Sequence, residues 1–251
     1  MADKDSGNIS ASNSPTDIVE KFAYKSASST LNSFVTTGGN TRELEFLSND
    51  LGKELDLLLM FEPPQVGKLY VDLFPVCWKV ISFGATGLGS ASVQYTADTG
   101  FFVPQNRSGN RVSASNAQRC QSGEKCALRT NANKNGSYIT KAVPSKAPKA
   151  LQCVNETERP ASIGIGFMNE AGTKMEPALV WNNIAKDSTL STELTPKLKI
   201  YAVSDYKETQ LIRGDIESPL LFEKNLISLP NSTEWKVSID EGTGKVVIEE
   251  A

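Results

Sequence analysis

The chain contains no histidine among its 251 residues. Histidine is the commonest general base near neutral pH and a preferred nitrogen ligand for zinc and non-heme iron. A Ser-His-Asp or Cys-His catalytic arrangement, or a His-ligated metal site, therefore cannot be built from this sequence. The chemistry left to the chain is that of carboxylates, lysines or thiolates, or binding without a covalent step.

Cysteine is scarce as well: the sequence has only Cys77, Cys120, Cys126 and Cys153, and no C-x-x-C pair. Without histidine, only a widely spaced set of four thiolates could hold zinc, so we predict no metal site and no cofactor. Reduced thiols are expected in the cytosol, and a disulfide between Cys120 and Cys126 is the alternative for an exported protein. Cys77 alternates with valines beside Trp78, a pattern typical of a buried thiol.

Long hydrophobic runs are absent. The longest, residues 57–61, is far shorter than the ~20 residues that a membrane-spanning helix needs. The start of the chain, MADKDSGNISASNSPTD, carries acidic residues and no apolar stretch, which does not fit a signal peptide. We therefore predict a disordered N-terminal arm over residues 1–17, no membrane partner and a cytoplasmic protein, with unconventional secretion as the alternative.

Strand patterns, in contrast, are plentiful. Apolar and other residues alternate over 198–203 and 235–239, which is typical of a half-buried strand. TEWKVSID and KVVIEE flank a glycine-containing turn and predict a C-terminal hairpin. The apolar run LDLLLMF, residues 55–61, is too continuous for an exposed strand and predicts a central strand covered on both faces.

Short strands separated by Gly, Pro and Asn turns predict an all-β fold. We expect a single domain over residues 18–251, built as an antiparallel two-sheet sandwich or a jelly-roll-like arrangement, with a β-barrel as the alternative. No segment repeats at a fixed period, which argues against propellers and solenoids.

The middle of the chain differs in charge from its flanks. Residues 104–160 have 10 Lys and Arg against 3 Asp and Glu, a net charge of +7, whereas the segments before and after each have a net charge of −5. Few strand patterns occur in this segment, so we predict a long irregular basic insert there. Its cations either converge on an anionic group or lie over the protein's own acidic strands. A single aromatic residue in the segment and an acidic chain overall argue against nucleic-acid binding.

Two glycine patterns have both structural and functional interpretations. FGATGLGS, residues 83–90, superficially resembles a dinucleotide-binding loop, but strand patterns follow it where a helix would be required, so a hairpin loop is favoured. SIGIGF, residues 162–167, places three large apolar side chains on one face of a strand and two glycines on the other. Tight packing of a neighbouring element against that glycine face is favoured over the approach of a flat ligand.

Candidate ligand-binding residues come from an aromatic at a strand end and from the basic segment. Trp181 is followed by Asn182, which places an aromatic face beside an amide hydrogen-bonding group. Arg111 and Arg119 are cations that match carboxylate or phosphate groups. We therefore predict that these four residues lie near the mouth of a binding site.

The preferred function is non-catalytic binding of a carbohydrate or small organic ligand, anionic ligands included, between strand-end loops. A first alternative is a histidine-free enzyme that uses carboxylates, such as a glycosidase, cyclase or isomerase, because two carboxyl groups suffice for glycoside cleavage. Glu43 with Glu45, and Glu54 with Asp56, would then share a strand face, although a solvated polar edge that prevents sheet aggregation explains them better. A second alternative is a self-assembling structural jelly roll, and oligomerisation is compatible with all three functions.

Overall fold

The computed structural model describes residues 41–251, so the arm predicted over residues 1–17 lies outside the described residues. Within the described range the chain forms strands and two short 3-10 turns, Ser108–Asn110 and Leu226–Ser228. No helix of this range has the length and apolar character needed to span a lipid bilayer. The strands are β1 Arg42–Asn49, β2 Leu55–Phe61, β3 Leu73–Pro75, β4 Lys79–Phe83, β5 Leu88–Tyr95, β6 Thr99–Arg107, β7 Arg111–Arg119, β8 Glu124–Thr130, β9 Ser137–Ile139, β10 Val143–Pro144, β11 Leu151–Asn155, β12 Ala161–Met168, β13 Met175–Ile184, β14 Thr189–Thr192, β15 Lys197–Ala202, β16 Leu220–Asn225, β17 Ser232–Ile239 and β18 Val246–Glu250.

These strands form four sheets. Sheet 1 has the order β18-β17-β1-β5, sheet 2 the order β16-β15-β2-β4, and sheet 3 the order β3-β13-β12-β6-β7. Sheet 4 has the order β10-β8-β11-β14, with β9 also paired to β8. The predicted all-β sandwich class is confirmed, and none of the four sheets closes into a barrel. Neighbouring strands are antiparallel except for β1 with β17 and β8 with β11, which are parallel.

Aromatic side chains hold sheets 1 and 2 together. Phe222 of β16 lies edge-on to Trp235 of β17, with ring centroids 4.7 Å apart, and also contacts Phe46 of β1. Phe61 of β2 contacts Tyr95 of β5 and Phe167 of β12. The last contact brings sheet 3 to the same core, and buried residues of all four sheets join in one apolar cluster.

Strand β2 is covered on both faces, as the run LDLLLMF predicts. It lies between β15 and β4, and Leu57 and Leu59 face the main core. Leu58 and Met60 point the other way, into a separate cluster with Cys77 and Ile212. Burial on both faces explains why the strand shows no polar alternation.

The glycine face of β12 is packed by protein side chains. Ile163, Ile165 and Phe167 face the main core, while a Cβ added to Gly164 would meet the Phe102 ring. A Cβ on Gly166 would likewise meet the β13 backbone and Met175. The tight-packing interpretation is therefore confirmed for this strand.

Residues 104–160 are largely strand, so the prediction of an irregular segment there was wrong. They contain the end of β6, all of β7, β8 and β11, and the short strands β9 and β10. The sequence RVSASNAQR of β7 has little apolar alternation because only Val112 of the strand is buried. Pairing with β6 along nearly its whole length makes it a strand, a long-range effect that local propensity does not reveal.

Candidate functional site

A long polar loop, residues 203–217, connects β15 to β16 and forms one wall of a surface cleft. Its central residues are fixed by backbone hydrogen bonds on both sides. The amide of Cys77 donates to Gln210 O at 2.8 Å, and the amide of Val112 donates to Thr209 O at 2.8 Å. Residues 209–212 thus lie between the segment after β3 and the start of β7, which makes this part of the loop a fixed scaffold.

Asn110, in the turn between β6 and β7, also lines this cleft, which we call the loop cleft. It has a volume of about 580 Å³, within the usual range for small-molecule sites. Its polar and aromatic lining consists of two amide side chains, one guanidinium, one phenol and three carboxylates: Asn110, Gln210, Arg213, Tyr206, Asp205, Asp215 and Glu217.

Hydrogen bonds hold the cationic side of the loop cleft in position. Arg213 Nε donates to Asn110 Oδ1 at 2.7 Å, and Asn110 Nδ2 donates to Leu211 O at 3.0 Å. The guanidinium also lies 5.2 Å from the centre of the Phe74 ring. Since Arg has five N–H donors and Nε accounts for one, the terminal nitrogens of Arg213 can donate to a ligand.

Tyrosines and an acidic residue sit together at the other side of the loop. Burial, and then the neighbouring Asp215 carboxylate, raises the pKa of Tyr70 to about 12. Burial also raises the pKa of Tyr206, with further contributions from Cys77 and Asp205. Both phenols therefore stay protonated near neutral pH, and the Tyr206 hydroxyl can donate as well as accept.

Of the predicted ligand-binding residues, Arg111 lies beside the loop cleft. It begins β7, and its Nε donates to Glu208 O at 3.0 Å and to Thr209 Oγ1 at 3.3 Å. These bonds attach β7 to the 203–217 loop. Arg111 thus positions the loop in this structure and keeps terminal nitrogens at the surface.

The structure does not bring the other three predicted residues to that place. Arg119 ends β7, so it is about 26 Å from Arg111 along the strand, and it forms an ion pair of 2.8 Å with Asp98. The Trp181 side chain is 2% exposed, and its Nε1 donates to Val66 O. Asn182 Oδ1 accepts from Ser162 on the neighbouring strand.

Cations of the basic segment pair with acidic side chains of the protein. Besides Arg119 with Asp98, Arg129 Nε lies 2.6 Å from Glu156 Oε2. The pKa of Arg129 is raised by this carboxylate. These two pairs follow the interpretation in which the basic segment complements the protein's own acidic residues.

The candidate carboxylate pairs lie on open surface. Glu43 and Glu45 accept hydrogen bonds from Ser92 and Ser90 of the adjacent strand. Glu54 lies before β2 begins, and Asp56 accepts from Ser82. Among residues 41–251, four carboxyl groups have a shifted pKa, and in each case the pKa is lowered: Glu62, Glu158, Glu223 and Asp240. A lowered pKa is the reverse of what a general acid near neutral pH needs.

The glycine loop of residues 83–90 is a connection between two strands. β4 ends at Phe83 and β5 begins at Leu88, and the Gly87 amide donates to Asp50 Oδ1 at 2.7 Å. No helix begins after this loop, so the helix N-terminus that a dinucleotide site uses for the pyrophosphate is missing there.

Three of the four cysteines lie next to one another. Cys126 of β8 and Cys153 of β11 are direct partners across the two strands, and the Cys120 thiol is within hydrogen-bonding reach of Cys126. All four cysteines are buried and free. Among residues 41–251 no group of three Cys, Asp or Glu side chains has an arrangement that could hold a metal ion.

We predict that the native thiols react slowly. The Cys126 hydrogen bond, and then burial, raises the pKa of Cys120, and burial raises the pKa of Cys77 and Cys153 to about 12. A protonated, buried thiol is a poor nucleophile. A colorimetric disulfide reagent at pH 8 should release little thiolate from native protein and four equivalents after unfolding in guanidinium chloride. Release of a full equivalent from native protein within minutes would contradict the burial described here.

Sequence reasoning did not identify Tyr206 or Arg213. A signal was present, since SDYKETQLIRGDIES is a long polar stretch with a single aromatic residue, and loops of that length are often functional. The chain matches no protein-family model, and no curated protein is significantly similar to it.

Proposed function

We propose that this protein is a non-catalytic binding protein that holds a carbohydrate or a small polar organic ligand in the loop cleft. The observation that carries the proposal is the lining of that cleft. A half-buried tyrosine ring, amide groups, carboxylates and a guanidinium line a surface cleft of about 580 Å³ formed by the 203–217 loop and Asn110. Sugars need this combination, because their ring faces are apolar and their hydroxyls require donors and acceptors.

Charge narrows the class of ligand. Three carboxylates line the loop cleft against the Arg213 guanidinium, with Arg111 beside it. This balance disfavours an anionic ligand, in contrast to the role first expected for the arginines. A neutral saccharide or one bearing an amine fits the lining better.

The 203–217 loop is held in place by hydrogen bonds, so ligand binding there needs little further ordering of the chain. The loop is tied to β7 by the Val112 amide, to Asn110 of the preceding turn by the Leu211 amide, and to the segment after β3 by the Cys77 amide. Arg213 is oriented by Asn110 before any ligand arrives. Preorganised groups lose less conformational entropy on binding, which favours affinity.

A glycan array with neutral, amino and acidic saccharides, followed by calorimetry on the best binders, tests the proposal. We expect saturable binding of a neutral or amino sugar, and an affinity about tenfold weaker for Tyr206→Ala, equivalent to about 1.4 kcal/mol. Tyr138→Ala, which removes an exposed tyrosine of β9, is the matched control and should bind as the wild type does. Equal binding by Tyr206→Ala, or turnover of a saccharide, would overturn the assignment.

A further inference from the structure

The edges of sheets 1 and 2 meet at a second groove, which shares Glu208 of the 203–217 loop as a lining residue. β5 is the last strand of sheet 1 and β4 is the last strand of sheet 2. Residues 79–82 and 91–94 of these strands line a groove of about 560 Å³. The turn between β12 and β13 and the Glu176 side chain complete its wall. We call this space the edge groove.

Strand β5 lacks the features that normally protect a sheet edge. Its sequence, LGSASVQY, contains no charge and no proline, and it pairs with β1 over eight residues without a bulge. Natural edge strands are usually short, charged, bulged or covered, because an open edge can pair with another chain. Among residues 41–251, no strand is hydrogen-bonded to β5 on its other side, where β4 of sheet 2 approaches it.

Most of the other outer strands show such protection, whereas β4, KVISF, is a five-residue outer strand with one charged residue, Lys79. β16 and β18 carry charged residues, β14 has four residues, and β3 and β10 are shorter still and contain proline. β7 has arginine at both ends and a register shift against β6. β5 is therefore a long, regular and uncharged edge, which is the form that accepts an added strand.

The surroundings of β5 are acidic. Glu170, Glu176 and Glu208 line the edge groove, and its one cation, Lys79, lies 2.7 Å from Glu176 Oε1. Trp78 Nε1 donates to the other oxygen of Glu176, which fixes this carboxylate in the wall. On β1, Glu43 and Glu45 lie directly behind Gln94 and Ser92.

We propose that the β5 edge binds an extended cationic peptide as an additional strand of sheet 1. The backbone of the peptide pairs with β5, and its alternate side chains lie over the outer face. On that face the peptide side chains are two inter-strand spacings, or about 10 Å, from Glu43 and Glu45 of β1. An extended lysine or arginine side chain of the peptide can reach an extended glutamate side chain over this distance. The side chains of the intervening peptide residues point towards the edge groove.

The probe is a capped, dye-labelled eight-residue peptide of alternating lysine and valine, titrated into the full-length protein at low salt. We expect saturable binding that weakens at least tenfold when glutamate replaces lysine, or when alternate peptide nitrogens are methylated. Higher salt should also weaken binding, because exposed charges are screened. Hydrogen exchange should slow at amides of β5. Equal affinity for the methylated peptide would contradict strand addition.

The matched variants are Ser92→Lys and Ser188→Lys. Both add one lysine at an exposed serine, but Ser92 lies on the β5 edge whereas Ser188 lies in the turn before β14. We expect at least tenfold weaker binding for Ser92→Lys and unchanged binding for Ser188→Lys. Three results would overturn the proposal: no binding to the wild type, equal binding by the two variants, or a dimer of the wild type that Ser92→Lys abolishes. The last result would assign the edge to a second copy of the chain.

Discussion

Replacing Trp181 by alanine should lower the free energy of unfolding by about 3–5 kcal/mol, the usual range for removal of a buried large aromatic side chain. The indole is 2% exposed within β13, and its Nε1 hydrogen bond to Val66 O holds the 62–72 connection against sheet 3. Alanine at position 181 would leave a cavity in the core and would remove the donor that bonds Val66 O. Urea unfolding followed by circular dichroism measures the loss, since this readout does not depend on the tryptophan removed.

Two further variants make this prediction specific. Trp181→Phe keeps an aromatic ring and loses the hydrogen bond, so a smaller loss of about 1–2 kcal/mol is expected. Leu88→Ala removes a large apolar side chain that is 88% exposed and should leave stability unchanged. A Trp181→Ala protein of wild-type stability that had lost ligand affinity would instead return this residue to a binding role.

Replacing Gly164 by alanine should lower the free energy of unfolding by about 1–3 kcal/mol, because one methyl group overpacks the space that the Phe102 ring occupies. Phe102 is fully buried and packs in an apolar cluster with Phe74, Val112 and Val180. For a chain of this size, each kcal/mol lowers the melting temperature by roughly 2–4 °C. Thermal unfolding by calorimetry is the measurement.

Gly214→Ala is the control for Gly164→Ala. No atom lies within 4 Å of a Cβ built at Gly214, and its backbone has no positive φ angle. Alanine there should be neutral or slightly stabilising, because it reduces the freedom of the unfolded chain. If the two variants lost the same stability, the clash with Phe102 could not be the cause.

Patterns within single segments predicted much of the local structure. The run LDLLLMF indicated a strand covered on both faces, and TEWKVSID with KVVIEE indicated the hairpin of β17 and β18. The SIGIGF pattern separated a core face from a packed glycine face. These predictions held because each depends on alternation along one strand, which burial imposes directly on the sequence.

The candidate sites were much harder to predict. Trp181 and Asn182 are sequence neighbours that suggested a site, yet the indole packs in the core. Tyr206 and Arg213 reach the loop cleft only because residues 209–212 pair with β7, about a hundred positions earlier in the chain. Contacts over such separations leave no periodic signal in either segment.

The amino-acid sequence alone established the all-β class, the absence of imidazole chemistry, the buried thiol of Cys77 and the charge of each segment. Composition and two-residue periodicity suffice for these properties, because they reflect the burial of individual side chains. The division into four sheets, the parallel pairing of β1 with β17, the loop cleft and the open edge of β5 appear only in the folded chain. Each depends on which distant strands exchange backbone hydrogen bonds, and the backbone groups that form those bonds are the same at nearly every residue.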